Sequence, residues 1–314
     1  MTEERQVANV VEMGYSETQA RFLVRAALHS GYFLRRQFSP DRGKSADDLC
    51  RRLLALKHAS VSRYHRRAEL YHLGSKPFFT MIGEPDNRHR REHDVIYLRA
   101  KLMGLDYVLT HPELIFLPTE KQKTEYFCGT LGLDASLLPG QTYKGKDGTL
   151  TRRNFIEKYP MYIHPETKVA GLCYLDDGMY TRTTFAPWLA RHKRLIQALS
   201  PNVEVVYVAT EDSGFEAAAR EYNRILTTLP AEFREFQAMR SGLQDGGLEH
   251  RSVEWLERYR YLRGRYFDCI GDSYCSPTTT FKTEVLNFSY KALPRIEPSN
   301  LAKPGEAFQS PIAT

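Results

Sequence analysis

No two cysteines in this chain are spaced C-x-x-C. The five present, Cys50, Cys128, Cys173, Cys269 and Cys275, are scattered and odd in number, so neither a zinc site nor a disulfide framework is indicated. They read as reduced, mostly buried thiols. A run of about 18 apolar residues, the length a membrane-spanning helix needs, is also missing. The opening MTEERQVANV is too acidic and too polar for the apolar region of a signal peptide. The expectation is a cytoplasmic protein with no membrane partner. Signatures of phosphate binding (G-x-x-x-x-G-K-[ST]), dinucleotide binding (G-x-G-x-x-G after a strand), serine hydrolysis (G-x-S-x-G) and zinc proteolysis (H-E-x-x-H) are absent as well. That set of absences leaves no catalytic motif to start from.

Most of the chain also lacks any excess of positive charge. The net charge is +6, yet residues 92–314 hold 27 Lys and Arg against 28 Asp and Glu. Residues 1–91 hold 17 against 10. The whole surplus lies in the first third, where it can neutralise phosphates. A solvated basic face without a partner is the alternative. With 314 residues, 42% hydrophobic and 26% charged, the chain can build a packed core and is long enough for two domains.

Local patterns give the first third an order. Ser16 followed by Gln19 is a capping box, and Ala20, Phe22, Leu23, Ala26 and Ala27 repeat at helical spacing until Gly31. Tyr32–Phe38 predicts a second, short helix, ended by Ser39-Pro40-Asp41. Ser45 with Asp48 opens a third, in which Leu49, Leu53 and Leu56 form a narrow apolar stripe while Arg51 and His58, with Asp47 beside them, fall on the opposite face. Leu70–Leu73 and Phe78–Ile82 read as two strands about Gly74-Ser75. Three helices and a ribbon are the order of a winged helix-turn-helix, whose third helix enters the DNA major groove.

On this reading Arg51 is the base-reading candidate, because a guanidinium donates two bonds to one guanine edge; a solvent-facing helix arginine is the alternative. Lys44 and His58 lie on or near the same face. Arg63, His65, Arg66 and Arg67 would flank the wing and meet phosphates or the minor groove. Arg88, Arg90 and Arg91, with His89 and His93, extend the basic run, as phosphate contacts or as a solvated linker. Tyr64 and Tyr71 suit strand packing better than base stacking. The charged stretch Glu84–Asp94 marks a boundary, so that residues 1–91 form one domain.

Val95–Leu109 then resumes a helical stripe. Beyond a possible strand at Leu114–Leu117 and a helix from Thr119 to Phe127, Pro139–Leu150 reads as a loop. Strands at Tyr159–Ile163 and Val169–Leu175, a helix at Thr184–Leu199, a strand at Val203–Ala209 and a helix at Phe215–Thr227 make an α/β core within residues 92–230. Residues 231–292 form a C-terminal helical region. There, a helix from about Glu249 to Tyr266 carries Arg251, Arg258, Arg260, Arg263 and Arg265 around a stripe of Trp255, Leu256, Tyr259 and Leu262. Residues 293–314 form a mobile tail.

The order helix-turn-helix, ribbon, the phrase Glu92-His93-Asp94-Val95 opening a helix, and a later α/β core resembles the replication-relaxation proteins of bacterial plasmids and mobile elements, over roughly Gly14 to Leu226. The resemblance implies an α/β (α+β overall) chain, with a winged helix joined to a degenerate restriction-endonuclease-like core. It also implies a regulatory or replication-associated protein, including transcription regulation, that binds double-stranded DNA. Such a core holds Mg²⁺ through an acid on one strand and an acid-x-Lys pair on the next. The matching places are Glu157, Asp176 and Asp177. Cys173-Tyr174-Leu175-Asp176-Asp177-Gly178 has no lysine two residues after an acid, and Asp176-Asp177-Gly178 suits a turn. The expectation is binding without catalysis, metal or cofactor. A Mg-dependent nuclease is the alternative. A third reading is an interaction subunit of a defence or DNA-transfer complex, and the α/β domain is left open for a homodimer or protein partner.

Overall fold

The computed structural model describes residues 1–38, 44–65, 68–93, 95–145, 148–157, 159–178, 185–226, 231–246, 251–266 and 279–286. The chain is a mixed α/β protein with three antiparallel or mixed sheets among these residues.

Helix α1, Glu3–Glu12, is capped by Thr2. Helix α2, Glu17–His29, starts on the reciprocal Ser16–Gln19 capping box. At Gly31 the backbone is left-handed (φ +77°), and a Cβ there would lie 2.3 Å from the His89 carbonyl oxygen. Only glycine meets both demands. The chain leaves it as a strand, β1 (Tyr32–Leu34), and not as the expected helix. Tyr32, Phe33 and Leu34 are all buried, and a short apolar run bounded by glycine does not distinguish strand from helix by periodicity. One helical turn, α3 (Arg35–Phe38), follows.

Helix α4, Lys44–Ala55, leads into β2 (Ala59–His65) and β3 (Ala68–Leu73). The three strands form an antiparallel sheet in the order β1-β3-β2. The segment Phe78–Ile82, expected as a strand, is helical. Helix α5, Lys76–Met81, is capped by Ser75 with proline in its first turn, and it buries Phe78, Phe79 and Ile82 at helical spacing. Helix α1, absent from the sequence expectation, closes this unit. Gln6 Nε2 donates to the Ile82 carbonyl (2.8 Å) and Asn9 Nδ2 to that of Met81 (2.7 Å), satisfying two carbonyls at the end of α5.

Helix α6, Val95–Thr110, is the wall between this unit and the next. Its Leu105 belongs to the N-terminal core. Its Leu98, Leu102 and Met103 pack with Tyr32, Leu34 and Leu70 on one side and with Leu175, Val206 and Val208 on the other. Helix α6, directly after the charged stretch, thus contributes side chains to the packing of both units. Gln37 Nε2 donates to the Leu102 carbonyl (3.0 Å) and Lys101 Nζ to the Ser30 carbonyl (2.9 Å), tying the wall to the first unit.

Next come β4 (Ile115–Phe116) and α7 (Glu120–Thr124), the latter running into a π-helical turn at Glu125–Thr130. The expected Pro139–Leu150 loop is instead a separate two-stranded ribbon of β5 (Gly140–Lys144) and β6 (Leu150–Asn154). Strands β7 (Met161–Ile163) and β8 (Ala170–Asp176), helix α8 (Phe185–Leu199), strand β9 (Val203–Ala209) and helix α9 (Phe215–Leu226) follow as expected, within a few residues. Helices α10 (Ala231–Gly246) and α11 (Val253–Tyr266) pair through the bidentate Arg258–Glu235 contact (2.9 and 3.1 Å) and the Phe236–Tyr259 stack. A final strand, β10 (Thr280–Val285), has no counterpart in the sequence expectation.

The second sheet runs β10-β9-β8-β7-β4. Its β8, β9 and β10 are parallel, and β7 and β4 are antiparallel to their neighbours. Every residue of β9 is buried, as a parallel strand covered on both faces requires. Helices α8 and α9 cover one face and α6 the other. Gly171 leaves room for the Tyr162 ring, which a Cβ would meet at 2.0 Å. The phenol thereby reaches Glu204 on β9 (2.5 Å), which also takes Lys282 Nζ from β10 (2.5 Å). Among the described residues no helix is long and apolar enough to cross a membrane.

Candidate nucleic-acid interface

Helix α4 has the amphipathic design expected of it, with one revision. Ala46, Leu49, Cys50 and Leu53 are buried, whereas Leu56 lies past the helix end and is 44% exposed. Ser45, Asp48, Arg51, Arg52 and Ala55 face outward. The Arg51 side chain is 76% exposed and meets Asp48 three residues earlier. Arg52 lies over the Tyr15 ring, 5.3 Å from its centroid. Asp47 holds Arg35 at 2.6 Å. The side chain of Lys44 lies outside the described residues.

His58 does not belong to that face. Helix α4 ends in a Schellman arrangement, in which the His58 amide donates to Leu53 (2.9 Å), the Lys57 amide to Leu54 (3.1 Å), and Lys57 takes a left-handed φ of +54°. The chain is turned back, and His58 is 9% exposed with its Nδ1 2.8 Å from the Tyr15 phenol. Burial lowers its pKa, so the ring is neutral at physiological pH and presents no cation. Helical spacing does not apply to His58, which lies three residues beyond the last helical residue, Ala55.

In β2, Arg63 is exposed opposite Glu69, and a bulge separates it from His65. Tyr64 points the other way, into the seam with the second unit, where it joins Tyr159 and Phe116 against the shared core. Its phenol is pushed up to about 12 by burial, with Arg99 and Arg36 opposing and Asp177 reinforcing the shift. Tyr71 is buried and stacked on Phe33 (5.1 Å). The side chain of His65, and Arg66 and Arg67 altogether, lie outside the described residues.

The basic run before α6 is a pinned turn. Residues Arg88–Arg90 form a 3₁₀ turn capped by Asn87. His89 is buried: its carbonyl accepts from His72 Nε2 (3.1 Å) and its Nδ1 accepts from Lys101 Nζ (2.7 Å). Arg90 is half-buried and donates to the Pro85 carbonyl. Arg88 and Arg91 are exposed, and of this run they are the two available to a phosphate.

Two of the three acids of the nuclease alternative are engaged elsewhere and the third is buried. Glu157 is in an ion pair with Arg191 of α8. Asp176, at the end of β8, accepts from the Tyr207 phenol and, at its other oxygen, from the Gly178 amide (2.9 Å). Asp177 is 1% exposed. Among the described residues no group of three or more His, Cys, Asp or Glu side chains is arranged to hold a metal ion. Gly178 has a left-handed φ of +72°, which suits the turn expected there.

Sequence patterns did not single out Arg52 or Lys57, nor the ribbon cations Lys144, Arg152 and Arg153. The two on or beside α4 sit next to residues that were named. The ribbon's sequence signal is limited to the two glycines, Gly145 and Gly148, between two polar stretches. Compared with known proteins, the chain matches no family model, no curated protein and no solved structure.

Proposed function

We propose that this chain is a double-stranded DNA-binding protein whose first unit is a winged helix, with α4 as the recognition helix and strands β2 and β3 as the wing. One observation carries the reading. From α2 the elements run helix, strand, helix, helix, strand, strand, with the sheet order β1-β3-β2, and α4 presents an uncovered face with Arg51 and Arg52 beyond that sheet. An α-helix fits the major groove and an arginine can read a guanine edge there. Arg63, Arg88 and Arg91 are exposed cations suited to phosphates. In keeping with the resemblance to replication-relaxation proteins, the DNA contact serves regulation or replication in a mobile element.

A nuclease reading has one observation in its favour. After α6 and β4, and past α7 and the β5–β6 ribbon, the run β7, β8, α8, β9, with β7 antiparallel and β9 parallel to β8, is compatible with a restriction-endonuclease-like core. Its chemistry needs acids open to a metal and a lysine beside them. Glu157 and Asp176 instead spend their oxygens on Arg191 and Tyr207, which favours binding over cleavage. The test pairs two assays on the purified full chain. Mobility shift with a random-sequence duplex should show binding. Incubation with plasmid and linear duplex in Mg²⁺ should leave the DNA intact. Cleavage that disappears in Asp176→Ala would replace this reading with the nuclease, and absence of any shift at low salt would remove it.

A further inference from the structure

The ribbon β5–β6 is the one described sheet that packs no face against a core. Gln141 to Lys144 and Leu150 to Arg153 are exposed throughout, and Leu150 at the outermost pair is 71% exposed. A two-stranded hairpin alone is marginally stable in water, and this one contributes no apolar side chain to the interior.

Its base, in contrast, is fixed. The Asn154 amide donates to Glu120 of α7 (2.8 Å) and the Phe155 amide to the Pro139 carbonyl (2.8 Å). Phe155 is buried and stacks on Phe127 (5.8 Å). Arg152 lies along the root, donating to the Leu138 carbonyl (3.0 Å). Gly140 allows the strands to close, since a Cβ would lie 2.6 Å from Asn154 Oδ1. The arm is therefore held rigidly where it leaves the body and is open along its length, about 17 Å for five residues a strand.

Its charge is one-sided. Residues 140–154 contain Lys144, Lys146, Arg152 and Arg153 against Asp147 alone. The pairing Tyr143 with Thr151 and Lys144 with Leu150 places a cation and a large apolar side chain together at the outer end. One face carries Lys144, Leu150 and Arg152, and the other carries Tyr143 and Arg153. Arg153 reaches Glu120 only at 4.0 Å.

We propose that this ribbon is a second DNA-contacting arm, which enters a groove of the same duplex and sets Lys144 and Arg153 on its phosphates. A two-stranded ribbon fits the major groove, and exposed lysines and arginines on such an element reach the flanking phosphates. The inference rests on the duplex-binding reading, and it adds a contact outside the N-terminal unit, where the charge balance of the sequence placed none.

The test uses the full chain and a Lys144→Ala/Arg153→Ala variant. Both side chains are exposed, so its melting temperature should equal that of the wild type. Binding of a random-sequence duplex is titrated over a series of salt concentrations. Each phosphate contact contributes about 0.9 to the slope of log K against log salt, so the variant should bind more weakly at low salt, with a slope shallower by about 2. A variant with wild-type affinity and slope overturns the arm while leaving the N-terminal reading intact, and would make an acidic protein surface the better occupant. A wild type that binds no duplex overturns both.

Discussion

Among single residues, Arg51 and His58 stand on either side of the end of α4, one exposed and one buried. Arg51 stands a full turn before the end of α4, on its open face. His58 stands past the Schellman turn and faces the core. Arg51→Ala should cost about 1–3 kcal/mol of base discrimination, while Arg63→Ala should weaken all sequences alike. Selection from a random duplex library checks this, since recovery of the wild-type motif by Arg51→Ala would contradict the recognition-helix reading. His58→Ala should leave the selected motif unchanged and lower stability instead. A buried histidine in the other unit yields a pH prediction. His192 is 1% exposed, stacks on Trp188 (4.3 Å) and donates Nδ1–H to the Trp188 carbonyl (2.8 Å). Burial lowers its pKa from 6.5 to about 3, against the raising effect of that hydrogen bond. The unfolded chain then binds the proton more readily than the folded one, so this contribution is whole above pH 6.5 and is lost as pH falls towards 3. The loss is at most about 1.4 kcal/mol per pH unit. Urea midpoints measured across that range should fall, and fall less steeply in His192→Leu; equal slopes would contradict the assignment.

Among elements, α6 decides whether the chain behaves as one body. Leu102 is fully buried between the two units, and truncation of such a leucine costs about 2–5 kcal/mol. Leu102→Ala should shift a single unfolding transition, seen alike by far-UV circular dichroism and tryptophan fluorescence. Two separate transitions, only one of them shifted, would show independent domains. Legibility in the sequence follows element length and punctuation. Helix α2 had a capping box at one end and a glycine at the other, and α4 had a stripe of leucines, so both could be read. Strands β8 and β9 stand out as largely apolar runs, β9 interrupted only by Glu204. Strand β1 and helix α5 exchange identities relative to expectation, because a run of three to five apolar residues suits either state until tertiary partners choose. The pairing of Tyr32–Leu34 with Leu70–His72 chooses in one case, and the Ser75 cap chooses in the other. Ribbon β5–β6 and strand β10 carry few apolar residues, which leaves no hydrophobic period to detect. Of the candidate site, the exposure of Arg51 and Arg63 was readable, whereas the burial of His58 depended on where α4 stops. The partners of Glu157 and Asp176, Arg191 and Tyr207, come from distant elements that no local pattern can supply.

For the molecule as a whole, the charge surplus of residues 1–91 sits on a unit of helices around a three-stranded antiparallel sheet, joined through α6 to a second sheet at which Glu157 and Asp176 are paired with Arg191 and Tyr207. The central claim is that this assembly holds duplex DNA chiefly through phosphates and reads part of its sequence through α4. Fluorescence anisotropy of a labelled random-sequence duplex, titrated with the full-length protein at low and at physiological salt, tests it most directly. The account predicts saturable binding at low salt that weakens steeply as salt rises, because each neutralised phosphate releases counterions. A duplex that stays free at low salt, or an affinity indifferent to salt, would contradict it.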